Sequence, residues 1–178
     1  MARTDIFGLA ADFADPGVLM AAAQQCREKG FEKWDVITPY PVHGLDEAMG
    51  LKRSRVPFFT FVGGAIGFAT GTFIAWYMNA FDYPIIVGGK PFFDPIFPFP
   101  VMYELTILLA ALSTILGMFL LNGLPMHYHP VMKAKGFAST TDDTLRITIE
   151  ASDPLFEREG TRAFLKEIGG ANVQELED

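Results

Sequence analysis

The sequence predicts an α+β domain of the ferredoxin-like class that is interrupted by a two-helix transmembrane hairpin. Two apolar runs support the hairpin: Val56 to Phe81, which contains no Asp, Glu, Lys or Arg, and Val101 to Leu124. Each run is long enough to cross roughly 30 Å of hydrocarbon as a helix, which takes about 20 residues. Each end of the chain also carries a β-α-β pattern, and two such patterns form a β-α-β-β-α-β sandwich.

The alternative for the two apolar runs is a pair of buried helices in a soluble domain. A chain of 178 residues leaves too little polar sequence to surround both runs, since only about 55 residues remain on each side. The membrane interpretation is therefore preferred. Residues 56–81 form the first predicted span and residues 101–124 the second.

Residues 1–52 form the first half of the predicted soluble domain. Ile6 to Ala10 is an apolar run typical of a buried strand. Asp15 and Pro16 then supply a helix N-cap and a proline for the first helical position, and Gly30 ends the helical pattern. Trp34 to Thr38 reads as a second strand, and His43 to Glu47 as a loop or short helix.

Residues 144–178 form the second half, after a linker at residues 125–143. Leu145 to Ile149 alternates apolar and polar residues, as a half-buried strand does. Asp153 and Pro154 repeat the earlier cap, so we expect a helix to begin there, and Val173 to Leu176 forms the last strand. Right-handed crossovers place both helices on one sheet face. Two independent halves are the alternative, but about 40 residues would hardly bury a core.

Small residues recur at helical spacing inside both spans. Such stripes allow close backbone contact between membrane helices. The predicted packing residues are Gly63, Gly67, Gly71 and Ala75 in the first span and Thr106, Ala110, Thr114 and Gly117 in the second. Glycine is also common in membrane helices without a packing role. The opposite face of the first span is aromatic and is expected to meet lipid or a larger partner through Phe58, Phe61, Phe68 and Phe73.

Charge asymmetry predicts the orientation. Lys52, Arg53 and Arg55 precede the first span and two lysines, Lys133 and Lys135, follow the second, whereas residues 82–100 between the spans contain one lysine. By the positive-inside rule, both termini are cytoplasmic and the proline- and phenylalanine-rich loop is external, against the membrane interface or another subunit. The N-terminal residues lack the pattern of a secretory signal peptide, which agrees with a cytoplasmic N-terminus.

Composition excludes several classes of protein. The net charge of −7 argues against nucleic-acid binding. A single cysteine, Cys26, excludes an internal disulfide, a four-cysteine iron–sulfur site and a Cys-x-x-Cys-His haem attachment. Cys26 is expected to be a small core residue.

Glu104 is the acidic residue within the predicted spans. A carboxylate in the bilayer is costly unless it is paired or hydrated, which makes Glu104 a candidate for proton handling. The alternative is that it reaches the outer interface or caps a helix end. His43, His127 and His129 flank the spans and are weak candidates for a metal site, because His-x-His alone lacks further ligands. No catalytic motif accompanies them.

Several segments give the chain a family resemblance over nearly its whole length. In order, they are Thr38 to Ala48, Arg53-Ser54-Arg55, Asp82-Tyr83-Pro84, Gly88 to Pro91, Tyr103 to Thr106 and Leu121 to Pro125. With these segments the sequence resembles the ActD subunit family of bacterial alternative complex III. The resemblance implies a subunit in the bacterial cytoplasmic (inner) membrane, within a quinol-oxidising assembly that passes electrons to a periplasmic acceptor.

The resemblance also implies where the cofactors lie. Haem c, iron–sulfur clusters and quinol are expected in partner subunits, including the multi-helix quinol-binding subunits beside the hairpin, and none is expected on this chain. Glu104 matches an acidic position of the family, although no catalytic residue carries over. Three hypotheses follow: a non-catalytic scaffold, a contribution to proton transfer through Glu104, and a membrane-tethered ligand or metal sensor.

Overall fold

The computed structural model describes residues 6–177. It divides into two compact units: Met1–Lys52 with His127–Asp178, and Arg53–Met126. The helices and strands, in chain order, are β1 Ile6–Phe13, α1 Pro16–Lys29, β2 Trp34–Ile37, α2 Leu45–Met49, α3 Val56–Tyr77, α4 Phe99–Leu121, β3 Leu145–Glu150, α5 Arg158–Glu167 and β4 Ala171–Glu177. The four strands within residues 6–177 all belong to the first unit.

The four strands form one antiparallel sheet in the order β2-β3-β1-β4. The central pair joins Leu9 to Ile149 and Phe13 to Leu145, and β2 extends the sheet by pairing Trp34 with Ile149. This is the strand order of a split β-α-β sandwich. The predicted fold class is confirmed, as is the position of the hairpin between the second and third strands.

One face of the sheet is covered by α1 and α5. Leu19, Cys26 and Leu165 from these helices pack with Leu9 and Ile147 from the sheet. The first helix follows the predicted caps: the Asp15 carboxylate accepts from the backbone N–H of Gly17, and Gly30 ends the helix with φ of 92°. Cys26 is buried as predicted, and burial raises the pKa of its thiol to about 12 despite the nearby Lys29 ammonium.

The other face of the sheet is covered by the segment predicted to be a linker. It contains two 3₁₀ helices, Pro130–Lys133 and Phe137–Thr141. Val131 and Ala134 are buried against Ala10 and Leu176 in a second apolar cluster. The prediction of a half-buried third strand was therefore wrong, since β3 is buried on both faces from Leu145 to Ile149.

A buried ion pair lies on this second face. Arg146 is fully buried, and its Nε donates to Asp12 at 2.7 Å while another guanidinium nitrogen donates to the Lys135 carbonyl. Asp12 lies on β1 and Arg146 on β3, so the ion pair crosses the central strand pair. A buried guanidinium is tolerated only with such partners.

The last helix begins later than the sequence predicted. Asp153 is not its N-cap, because α5 begins at Arg158. The Asp153 carboxylate instead accepts from the backbone N–H groups of Glu32 and Lys33, each at 2.7 Å, and of Leu155 at 2.8 Å. Asp153 thus joins the turn before β2 to the turn after β3.

The second unit is an antiparallel helical hairpin. Its first helix, α3, has 22 residues and continues through a π-helical turn at Met78–Asp82; the second, α4, has 23 residues. At 1.5 Å per residue each helix is about 33 Å long, which matches the hydrocarbon thickness of a bilayer. The second helix covers Phe99–Leu121 rather than the predicted 101–124, because Pro100 fits the first turn and a turn begins at Asn122.

Asp153 generates a stability prediction for the first unit. Burial alone would raise the pKa of Asp153, but the N–H groups of Lys33, Leu155 and Glu32 together hold this pKa below its ordinary value of 3.8. Asp153→Ala should lower the free energy of unfolding by about 2 to 3 kcal/mol, since three backbone donors lose a charged acceptor. The contribution of Asp153 is complete above pH 3.8 and is lost as the pH falls through the folded-state pKa.

Urea unfolding of the full chain in detergent, followed by maleimide labelling of buried Cys26, measures this effect. Asp142→Ala serves as the control, because Asp142 is exposed and makes no side-chain hydrogen bond within residues 6–177. Equal unfolding midpoints for the two variants would contradict the prediction.

Candidate functional site: the hairpin surfaces

The inner surface of the hairpin is made of small residues that let the two backbones approach closely. The buried residues of α3 lie four apart along one face: Gly63, Gly67, Gly71 and Ala75. A methyl group added at Gly63 would lie 2.5 Å from the Leu109 carbonyl oxygen, and one added at Gly67 would lie 2.7 Å from the Leu105 carbonyl carbon. These glycines are therefore required by the distance between the helices.

The facing surface of α4 is wider than the stripe predicted for it. Gly117 is buried, and Thr106, Ala110 and Thr114 are half-buried. Four further residues also lie on this surface, of which Met102 is buried: Met102, Leu105, Leu109 and Ser113. These four residues follow one another at intervals of three or four, which places them on one helix face. A search for small residues alone overlooks them.

Side-chain hydrogen bonds join the two helices at two levels. The hydroxyls of Thr60 and Thr114 are 2.6 Å apart and share a hydrogen bond, and the Thr72 hydroxyl donates to the Met102 sulfur at 3.0 Å. Phe59 covers Gly117, where an added methyl group would lie 2.7 Å from the ring. The inner surface is thus filled within the hairpin itself.

The outer surface of the hairpin is apolar and exposed. Phe61 is 73% exposed and Phe58 67%, and Leu108 and Leu116 on α4 are also more than half exposed. In the most apolar 18-residue stretch of Val56–Asp82, only 22% is buried, and in that of Phe99–Leu121 only 6% is buried. Core helices of a soluble domain would be mostly buried, so this surface is suited to lipid or to other subunits.

Aromatic side chains cluster at the loop end of the hairpin. Trp76 lies 4.8 Å from Phe81 between ring centroids, Phe73 stacks on Tyr77, and Phe99 stacks on Tyr103. Aromatic belts of this kind occur where a helix meets the membrane–water interface. Arg53 and Arg55 lie at the opposite end, immediately before α3.

Glu104 lies on the outer surface of α4 and is exposed. It is the sixth residue of α4, which places it about 7 Å along the axis from the helix start. Within residues 6–177 its carboxylate makes no hydrogen bond or ion pair. The carboxylate is therefore available to a partner outside residues 6–177, such as solvent, lipid or another chain.

The three candidate histidines do not converge on a site. His43 and His127 are exposed, whereas His129 is half-buried, accepts from the Val131 N–H and packs edge-on against Phe7. Within the described part of the chain, no three His, Cys, Asp or Glu residues are grouped so that they could hold a metal ion.

The inner surface generates a prediction with a matched control. Gly67→Ala should destabilise the hairpin by roughly 1 to 3 kcal/mol, because the added methyl group meets the α4 backbone. Gly64→Ala should be tolerated, since its methyl group would lie 3.6 Å from the Ala110 methyl group at ordinary contact distance. Thermal unfolding of the full chain in detergent measures the difference. If Gly67→Ala proves as stable as Gly64→Ala, the packing described above is wrong.

The geometry agrees with a sequence comparison. Residues 7–175 match the family described as alternative complex III, ActD subunit. A comparison with curated protein sequences gives no match. The family match extends from β1 to β4 and includes both helices of the hairpin. The chain therefore belongs to the ActD subunit family of alternative complex III, a membrane-bound redox complex.

Proposed function

We propose that this chain is a non-catalytic scaffold subunit of alternative complex III. In this proposal the hairpin crosses the cytoplasmic membrane beside the large quinol-binding subunits and stabilises them. The observation that carries the proposal is the division of the hairpin into a filled inner surface and an exposed apolar outer surface. Since the inner surface needs no partner, the outer surface is available for other helices and for lipid.

The proposed cofactor distribution follows from the side chains available. Cys26 is buried in the core of the first unit, where its raised pKa disfavours the thiolate that metals bind. The three histidines belong to no group of side chains within residues 6–177 that could hold a metal ion. We therefore propose that haem c, iron–sulfur clusters and quinol are bound by partner subunits.

The proposed orientation places the first unit in the cytoplasm. Its sheet contains strands from before and after the hairpin. The start of α3 and the end of α4 must therefore lie on the same side of the membrane. Arg53 and Arg55 precede α3, and residues 82–100 contain a single lysine. Both termini are therefore cytoplasmic in this proposal, and the loop is external.

Deletion of this subunit tests the scaffold role. Without the chain, the large membrane subunits should be recovered in lower amounts as an assembled complex after mild detergent extraction, and the supplied wild-type chain should restore them. The tagged chain should co-purify with cytochrome c and with quinol oxidation activity. Recovery of the tagged chain only as a free small protein, or normal assembly without it, would contradict the proposal.

Glu104 is proposed to assist proton transfer as a second role. The supporting observation is an exposed carboxylate, without a partner among the described residues, on the face of α4 that is available to other subunits. Glu104→Gln should lower quinol turnover while the amount of assembled complex stays constant, since Gln keeps the size of the side chain but does not ionise.

Glu104→Asp and Asp94→Asn are the controls for this substitution. Asp retains a titratable group at the same position, and Asp94 lies in the external loop, where it accepts from the Ile96 N–H. Turnover by Glu104→Gln equal to that of wild type would remove the proton role and leave the scaffold role intact.

A further inference from the structure

A cavity of about 270 Å³ lies on the second face of the sheet, within the first unit. Its floor is formed by polar side chains of β2 and β3, namely Asp35, Thr148 and Glu150, and its walls include the apolar side chains of Ile37, Val131 and Phe137. The volume lies at or below the lower end of the range for small-molecule sites, which begins at about 300 Å³. The cavity is therefore suited to a single side chain.

The strand register places the three floor residues together. Asp35 is paired directly with Thr148 across β2 and β3. Glu150 is two residues beyond Thr148 on β3 and shares its face, because side chains alternate along a strand. The sequence positions 35, 148 and 150 give no hint of this grouping, since the hairpin separates β2 from β3.

Thr148 is the unusual member of the floor. The residue is 3% exposed, and its hydroxyl has no hydrogen-bond partner within the described residues. A buried hydroxyl without a partner is costly, and native structures contain few of them. Its position beside the cavity indicates that an occupant supplies the missing partner.

The two carboxylates retain unused acceptor capacity. Asp35 Oδ1 accepts from the Val36 N–H, and Glu150 Oε2 accepts from the Ser152 hydroxyl, each at 2.8 Å. The second oxygen of each carboxylate accepts no hydrogen bond, and neither carboxylate is in an ion pair, within residues 6–177. The floor thus presents three free acceptors. His129 also lines the cavity, where its Nδ1 accepts from the Val131 N–H, and no lysine or arginine among the described residues lines it.

We propose that this cavity receives a lysine side chain from a neighbouring subunit, an inference that rests on the proposed scaffold function. A lysine ammonium has three donors and no acceptor, which matches Asp35, Glu150 and the Thr148 hydroxyl. Its aliphatic stem would pack against the apolar walls, as lysine stems do at protein surfaces. The site therefore fixes the first unit to a basic segment of the complex.

Zero-length cross-linking of the intact complex with a carbodiimide tests the proposal. The reagent joins a carboxylate to an amine in contact with it, and mass spectrometry identifies the joined peptides. A cross-link from Asp35 or Glu150 to a lysine of another subunit is expected. It should disappear in the Asp35→Asn/Glu150→Gln double variant and persist in Asp142→Asn/Glu167→Gln, which removes two exposed carboxylates elsewhere in the same unit.

Dissociation measurements give a second readout. At raised salt, the Asp35→Asn/Glu150→Gln chain should leave the purified complex about tenfold faster than the Asp142→Asn/Glu167→Gln chain, which corresponds to about 1.4 kcal/mol. Thr148→Val should also leave faster than wild type. In the purified chain alone, however, Thr148→Val should be no less stable than wild type. The Thr148 hydroxyl has no hydrogen-bond partner among the described residues, so its removal breaks no hydrogen bond there.

The proposal is overturned if the floor carboxylates form no cross-link, if they cross-link only to this chain, or if the two double variants leave the complex at the same rate. An arginine or a free organic cation in the cavity would appear as a rate difference without a cross-link and would also overturn the assignment to lysine. Co-purification of all variants at low salt would leave the scaffold function supported in each case, so the two proposals can fail separately.

Discussion

Hydrogen bonding between β1 and β3 joins parts of the chain that are separated by the whole hairpin. Gly8 to Phe13 pairs with Glu150 to Leu145, and β4 adds to the other edge of β1. The Asp12–Arg146 ion pair and the Asp153 hydrogen bonds to Glu32 and Lys33 connect the same two halves. Because neither half can complete the sheet alone, the two apolar helices must return the chain to the same sheet. In the proposed orientation this means the same side of the membrane.

The hairpin meets this requirement with a closely packed helix pair. Gly63, Gly67 and Gly71 leave space for the α4 backbone, and threonine hydroxyls bond across the contact. Small residues turned inward leave the large apolar side chains on the outside. The same sequence pattern that closes the hairpin therefore leaves an exposed apolar outer surface, which is the surface that the proposed scaffold role requires.

The parts of the fold that follow local rules could be predicted from the sequence. Local patterns indicated a capped helix between Asp15 and Gly30, two long apolar helices, and a glycine face on the first of them. The structure contains all three features. Asp153 was misread because its partners, Glu32 and Lys33, are distant in sequence, whereas an Asp-Pro pair alone resembles a helix start. Residues 125–143 were predicted to be a linker, so the burial of Val131 and Ala134 against the second sheet face was not predicted.

The candidate site, like the fold, could be predicted from the sequence only in part. The small-residue stripe of α3 could be predicted from its spacing, whereas the grouping of Asp35, Thr148 and Glu150 depends on the β2–β3 register, which no local pattern reveals. The exposure of Glu104 follows from the helix face on which it lies, but what contacts it is a property of the complex.

A hairpin whose two ends lie on the same side of the membrane is tested most directly by three single substitutions to cysteine. Each variant is labelled with a membrane-impermeant maleimide in intact and in permeabilised cells. Glu28, Ile86 and Glu167 are exposed and lie before, within and after the hairpin, while native Cys26 is buried. We expect Ile86→Cys to be labelled from outside, and Glu28→Cys and Glu167→Cys to be labelled only after permeabilisation. Labelling of Glu28→Cys and Glu167→Cys from opposite sides would contradict this arrangement.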